Sequence, residues 1–466
     1  MRKTYLIFAA ITILILPAWS DSQTASTETG ASVGLGVESI DDITYNTLSL
    51  APDLSMGKIG IGLDLVLNYE LKSDAVGNPE FDLRQEDWVP EDDGDFQDWL
   101  ELYFSKILYL RYGNKGDDIY AKFGAISDAT LGNGFIMGNY SNMLFRPEIK
   151  PLGLSFDLDS ALFNLPYFGF ESFVGNLAAF DVIGGRLYAR PMGFMENEIL
   201  KQFQLGYTIV LDNAPFHYVE DRSDNPDTTG IDESKLYNKE ETVFVTGLDF
   251  KQPLLMSDTL SLALFGDIAS EEGALGGMIG AGGRLVKIVT YGGQIRIMGE
   301  DFLPTYFNQS YDLDRASKYL ITKNIIKDVM DPYQSWLASL GLSMIEDLLV
   351  MNVSVESPFQ KVIKDEKDPD TTDLVYLNYP HLITYFEVKP GLLPNLSFGA
   401  SYDKREIKEW ADLSELDNSL IGARINYQTG PAVVSLLYNL TYNNDHEPDK
   451  DAWDVSTKLE TAISLY

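Results

Sequence analysis

From about residue 31 onward, apolar and polar side chains alternate in blocks of about ten, the period of two that a β-strand imposes. Residues 202–211 place Phe203, Leu205, Tyr207, Ile209 and Leu211 on one face and Gln202, Gln204, Gly206 and Thr208 on the other. Ile119, Ala121, Phe123 and Ala125 likewise oppose Asp118, Tyr120, Lys122 and Gly124. The dyad returns in Leu396, Phe398, Ala400 and Tyr402, and again in Ile421, Ala423, Ile425 and Tyr427. The pattern predicts twenty strands between residues 31 and 466, each of the length a tilted strand needs to cross a membrane.

A soluble β-sandwich also alternates, so the connections carry more weight. The long ones are residues 70–97, 127–150, 212–241, 299–333, 358–380, 404–417 and 443–453. An even number of predicted strands separates each from the next, which puts all seven on one side. The other side holds tight links such as residues 113–117, 286–287, 346–347 and 429–430, of turn-type length or composition. Short turns at one rim and long loops at the other define the outer-membrane barrel layout. A sandwich has no reason to keep that parity.

On these features the chain resembles bacterial outer-membrane β-barrel proteins of the porin-like kind, over essentially all of residues 31–466. The resemblance implies an all-β fold, a transmembrane antiparallel up-and-down β-barrel of 16 to 20 strands. It also implies outer-membrane lipid and small hydrophilic solutes as partners. In that family a terminal aromatic belongs to an assembly signal; here the last strand ends on Tyr466, while Leu459, Ile463 and Leu465 hold its lipid-facing parity. Closure follows from the solvent, because hydrocarbon cannot bond a free N–H or C=O and a barrel has no edge.

The N-terminus fits export. Arg2 and Lys3 precede an apolar run from Tyr5 to Leu16, and Ala18-Trp19-Ser20 offers small residues before Asp21. Residues 1–20 therefore read as a cleaved signal peptide, too short in its apolar run to span a membrane as a helix. Residues 21–30, rich in Ser and Thr, read as disordered, and residues 31–466 as one barrel domain.

With 35 Lys and Arg against 70 Asp and Glu the formal charge is −35, which excludes a nucleic-acid partner that would need phosphates neutralised. The absence of cysteine removes disulfides, thiolate metal sites and Cys nucleophiles. No cofactor motif is present, and the acidic runs in 70–97 and 212–241 match no EF-hand spacing. The enzyme reading is weak: there is no Gly-x-Ser-x-Gly elbow, and His217, His381 and His446 are the only imidazoles.

Charges within the strands say more. Lys122, Arg186, Arg190, Arg284, Arg296 and Arg424 lie on polar parity, as do Asp157, Asp159, Asp267, Asn352, Glu356 and Glu387. A charge on the lipid face would cost about 2–4 kcal/mol at mid-membrane, so these are candidate pore-lining residues. They would sort solutes or merely pair and fill the lumen. The loop 127–150 differs from its acidic neighbours. Phe135, Ile136, Met137, Met143, Leu144 and Phe145 are costly to leave in water, so the loop is expected to fold inward as a constriction. Asn133, Asn139, Tyr140, Asn142 and Arg146 would then meet passing solutes. Residues 312–331 space Ala316, Leu320 and Ile326 helically before Pro332, which predicts a short helix in an extracellular loop or packed at the mouth. The functional expectation is a porin-like channel for passive passage of small hydrophilic solutes. A structural or adhesive barrel with an occluded lumen is the alternative, and a barrel hydrolase the remotest reading.

Overall fold

The computed structural model describes residues 30–40, 43–73, 79–90, 99, 102–144, 150–165, 167–217, 241–323, 330–345, 347–363, 376–430, 432–442 and 453–463. The predicted signal peptide and the segment after it lie outside the described residues, as do Arg146, Ile326 and His446. The first hairpin joins β1 (Gly30–Ile40) to β2 (Ile43–Met56). Strand β2 then pairs with both β3 (Ile59–Leu63) and β4 (Leu65–Ser73), which are one strand interrupted at Asp64. Beyond them β5 (Pro79–Leu83) pairs with β4, and β6 (Ile107–Tyr112) with β3. These too form one strand, whose two halves are separated by 23 positions of sequence, residues 84–106. The Asp64 amide bonds the Lys106 carbonyl at 2.8 Å where the chain returns. The expected connection 70–97 is therefore partly strand, and the irregular insertion sits inside the strand.

From β6 on, each strand pairs antiparallel with the next in sequence: β7 (Ile119–Gly124), β8 (Gly153–Asp159), β9 (Phe168–Val174), β10 (Val182–Ala189) and β11 (Gln204–Asp212). There follow β12 (Val243–Met256), β13 (Leu260–Glu271), β14 (Ala274–Leu285), β15 (Val289–Met298) and β16 (Tyr333–Met344). The series ends with β17 (Leu349–Pro358), β18 (His381–Leu393), β19 (Leu396–Lys404), β20 (Ser419–Thr429), β21 (Ala432–Tyr442) and β22 (Trp453–Ile463). The last strand lies against the first, which closes the sheet. With each interrupted pair counted once, the chain is an up-and-down antiparallel barrel of 20 strands.

Register explains the alternation. Leu187, Tyr207, Leu248 and Ile268 are successive partners across β10 to β13, and all four are well exposed, Ile268 by 67%. Such a belt suits hydrocarbon, the solvent in which exposed apolar groups cost nothing and unpaired backbone costs most. One residue along, the inward row reads Gly206, Asp249, Asp267, Met278, Arg296 and Ser335. At the short-turn rim Val286 and Lys287 both have positive φ, as a two-residue primed hairpin turn requires.

The apolar core lies inside the barrel. It gathers Ile126, Phe135, Met137 and Tyr140 with Phe302, Tyr306, Phe307 and Tyr311 against wall residues Phe173, Val182, Val210 and Val245. Two inward segments supply it. Residues 129–140 form a hairpin whose base is a reciprocal Ala129–Tyr140 pair with both bonds at 2.9 Å. The second segment, residues 299–323, contains α1 (Tyr311–Thr322), where the helical spacing had placed it. The segments pair through backbone: Thr305 N donates to Phe135 O, Phe307 N to Ile136 O and Gly138 N to Phe307 O. Those bonds satisfy polar groups that the apolar interior would otherwise strand.

Candidate functional site

The hairpin is fixed to the wall by side chains chosen for their hydrogen bonds. Asn142 is buried; its Oδ1 accepts from Ile126 N, and its Nδ2 donates to the carbonyls of Gly124 and Gly175. Tyr140 is buried too, and its hydroxyl donates to Asp312 at 3.0 Å. Neither meets open lumen, so these two expected solute contacts are fasteners. Asn133 reaches across the hairpin tip, donating to Asp267 Oδ2 at 2.9 Å and to the Phe250 carbonyl. Asn139 stays exposed, in left-handed conformation with φ 53°, and its amide donates to Thr130 Oγ1.

Beneath the hairpin lies an ion cluster. Arg186 forks onto Asp249, Nε to Oδ2 at 2.8 Å and Nη2 to Oδ1 at 2.6 Å, while Nη1 takes Glu171 at 3.0 Å. The pair crosses over Gly206: a Cβ there would stand 2.2 Å from Asp249 Oδ2 and 2.5 Å from Arg186 Nε. A strand glycine usually weakens a sheet; here it makes room for the fork. Gly132 of the hairpin sits on the same pair and donates its amide to Glu171.

The remaining candidates divide by partner. Arg190 forks onto Asp159, joined by the Tyr188 hydroxyl. Asp157 pairs with Lys115 at 2.8 Å. Lys122 stands over the Tyr109 ring. Arg296 donates to Glu356, whose other oxygen faces His381 Nδ1, and His381 Nε2 meets Asp403 at 2.8 Å. His381 thus stands between two carboxylates, without the serine a hydrolase triad would need among its described partners. Among the described residues Arg424 bonds the neutral Asn426. Arg284 is exposed, and Glu387 is half-buried opposite Gly399. Among the described residues no cluster has a metal-binding arrangement.

A second cluster has no sequence signature. Arg315 of α1 is buried, and bonds Asp212 twice, at 2.7 and 3.1 Å, and Asp181 at 3.0 Å. Asp312 stands 3.6 Å away, and Tyr311 donates to Asp212 at 2.6 Å. Three carboxylates share one guanidinium. Burial, opposed by that guanidinium, pushes the Asp312 carboxyl up to about 7. The only hint in the sequence was the basic residue in a helical segment; its partners lie 103 and 134 positions away.

Between the hairpin and the wall remains an open cavity of about 230 Å³. Thr130, Asn133, Asn139, Gln294, Arg296 and Thr305 line it, with Phe135 and Met278 as its apolar faces.

A closed 20-stranded barrel with a polar inner face and an apolar outer belt has the layout of a transmembrane β-barrel. No family model and no curated protein matches the chain. Among solved structures it is similar to Pseudomonas aeruginosa OccK2 (OpdF) in complex with glucuronate, at 10% identity and TM-score 0.32, over 94% of this chain and 97% of that one. Escherichia coli Wzi, an outer membrane protein involved in group 1 capsule assembly and a carbohydrate-binding barrel, aligns at 12% and 0.36 over 97% and 87%. Pseudomonas aeruginosa OprD aligns at 9% and 0.35 over 94% and 92%. Likenesses this loose transfer no residue roles, and the strand ladder itself carries the barrel fold.

Proposed function

We propose that this protein is exported through a signal peptide at residues 1–20, inserts its barrel domain, residues 31–466, into an outer membrane, and lets small hydrophilic solutes diffuse through. The observation that carries the reading is the polar cavity left between the inward hairpin and the wall of β14 and β15. A barrel built only as a scaffold has no need to keep neutral amides, hydroxyls and one arginine around open space. In this reading the hairpin narrows the lumen and the lumen charges form the field a solute crosses.

The test is conductance of the full chain in a planar bilayer, compared with a variant lacking residues 131–138. That deletion keeps the Ala129–Tyr140 base pair of the hairpin. Channel activity that rises on deletion supports a narrowed pore. A second reading, an occluded structural barrel, draws on the apolar core packed inside the wall. It requires that the folded native chain not conduct at all.

A further inference from the structure

We infer that the cavity between the hairpin tip and β14–β15 is a subsite for a neutral polyhydroxylated solute the size of one sugar ring. This rests on the channel reading and names the class of solute. At roughly 30 Å³ per water in the liquid, the 230 Å³ matches about eight waters, which is the scale of a single six-membered ring with its hydroxyls.

The chemistry of the lining favours hydroxyls. Asn139 and Gln294 present amides and Thr305 a hydroxyl, while the Asn133 amide nitrogen and the Thr130 hydroxyl are already engaged by Asp267 and by Asn139 N. Both group types donate and accept, as sugar hydroxyls do. Phe135 and Met278 form the packed apolar floor beneath these groups and are themselves almost wholly buried. Phe135 is held rigid by stacking on Phe302, with centroids 5.5 Å apart. The site is thus mostly preformed, with a few polar groups fixed in place, as small-molecule sites usually are.

The charges argue against an anion. Arg296 is the sole charged group of the lining, and its Nη1 already donates to Glu356 at 3.1 Å. Asp267, held by Asn133 at 2.9 Å, stands at the hairpin tip, and Asp403 continues the row beyond His381. An incoming carboxylate would compete with Glu356 for the guanidinium of the lining. The Arg296 Nε–H is itself buried, with no acceptor among the described residues.

The experiment uses the full chain in a planar bilayer, with glucose, glucuronate and glucosamine as probes of one size and three charges. Glucose should reduce the ion current saturably, and glucuronate should need a several-fold higher concentration for the same block. Gln294→Ala should raise the half-blocking glucose concentration roughly five-fold, the worth of one lost hydrogen bond. Asn139→Gly should act alike, removing the amide at a position whose positive φ glycine accepts. Heat-modifiable migration on gels verifies that both variants are folded. Glucuronate or glucosamine blocking more strongly than glucose would overturn the neutral class, and a conducting channel indifferent to all three would overturn the site while leaving the channel. Should the folded chain fail to conduct, the channel reading falls, and calorimetric titration of glucose in detergent decides the site: glucose affinity about five-fold weaker in Gln294→Ala supports it, and no heat in the native chain overturns it.

Discussion

Replacing Arg315 with methionine keeps the volume of the side chain and removes the cation that ties α1 to the wall. Asp181, Asp212 and Asp312 are each almost wholly buried, so none can turn to water once the guanidinium is gone. Removing one partner of a buried ion pair costs about 3–5 kcal/mol. Protonation of the stranded carboxylates offsets part of this. The barrel strands do not depend on Arg315, so the cost falls on the docking of residues 299–323. At about 1.4 kcal/mol per decade, the undocked population should rise roughly a hundred- to a thousand-fold.

Trypsin reads that population directly, because Lys318 and Lys323 lie in the docked segment. Lys318 is tied to the Tyr306 carbonyl at 2.7 Å and Lys323 to Glu272 at 2.8 Å. When opening is fast relative to cleavage, cutting tracks the open fraction. Cleavage at these two lysines, mapped by mass spectrometry on the reconstituted variant, should accelerate by at least an order of magnitude over the native chain. Adding Asp212→Asn should recover part of the protection, since it removes one of the stranded charges. Equal cleavage rates in native and Arg315→Met protein would refute the account, and would mean that the aromatic packing of Tyr306, Phe307 and Tyr311 alone holds the segment.

The same cluster sets a pH dependence. With the Asp312 carboxyl up at about 7 and an undocked carboxylate near 4, the docked state binds the extra proton between those values, so docking weakens as pH rises through that window. Cleavage normalised to a free peptide should therefore be faster at about pH 8 than at about pH 5, and Asp312→Asn should flatten the difference. Gly206→Val puts a side chain within 2.2 Å of Asp249 Oδ2 and should split the Arg186–Asp249 fork, costing about 3 kcal/mol and lowering the temperature of heat-modifiable unfolding. Arg424→Glu, at a site bonded among the described residues to Asn426, should shift the reversal potential toward cations in a folded barrel, whereas Arg186→Glu should fail at assembly. Normal assembly of Arg186→Glu would contradict the paired role given to that arginine.

Parity along the chain carried most of the fold, because a two-residue period and a pore-or-lipid choice leave little freedom once a sheet must close. It could not see the break at Asp64: residues 65–73 and 79–83 pair as strand, yet their acids and Gly-Asn-Pro turn look like loop. Parity also assigns a face but neither a height nor a neighbour. Arg186 and Arg424 are alike in the sequence, each on the polar face of its strand. One forks onto an aspartate 63 residues away, and the other finds, among the described residues, an amide two residues on. The burial of Tyr140 and Asn142 was hidden for the same reason, since their partners Asp312 and Gly175 come from other parts of the chain.

The lumen is asymmetric, and the asymmetry has a physical cause. The described inward segments pack on the wall from β8 to β15, where the inward face offers Phe173, Val182, Val210, Val245, Ala269 and Met278 as apolar footing. Glycines in that wall let rings settle on the backbone: a Cβ at Gly276 would lie 2.4 Å from the Phe302 ring. The described wall across β19 to β21 offers less of it, Leu420 being its buried apolar residue. Across β19 to β21 the inward register partners are Ser397, Asn426 and Ser435, with Arg424 beside them, and Asn426 donates to Ser397 at 3.0 Å. A hairpin laid there would bury polar groups without partners, which apolar side chains cannot supply. The described inward segments thus lie on the side of the barrel that offers them apolar footing.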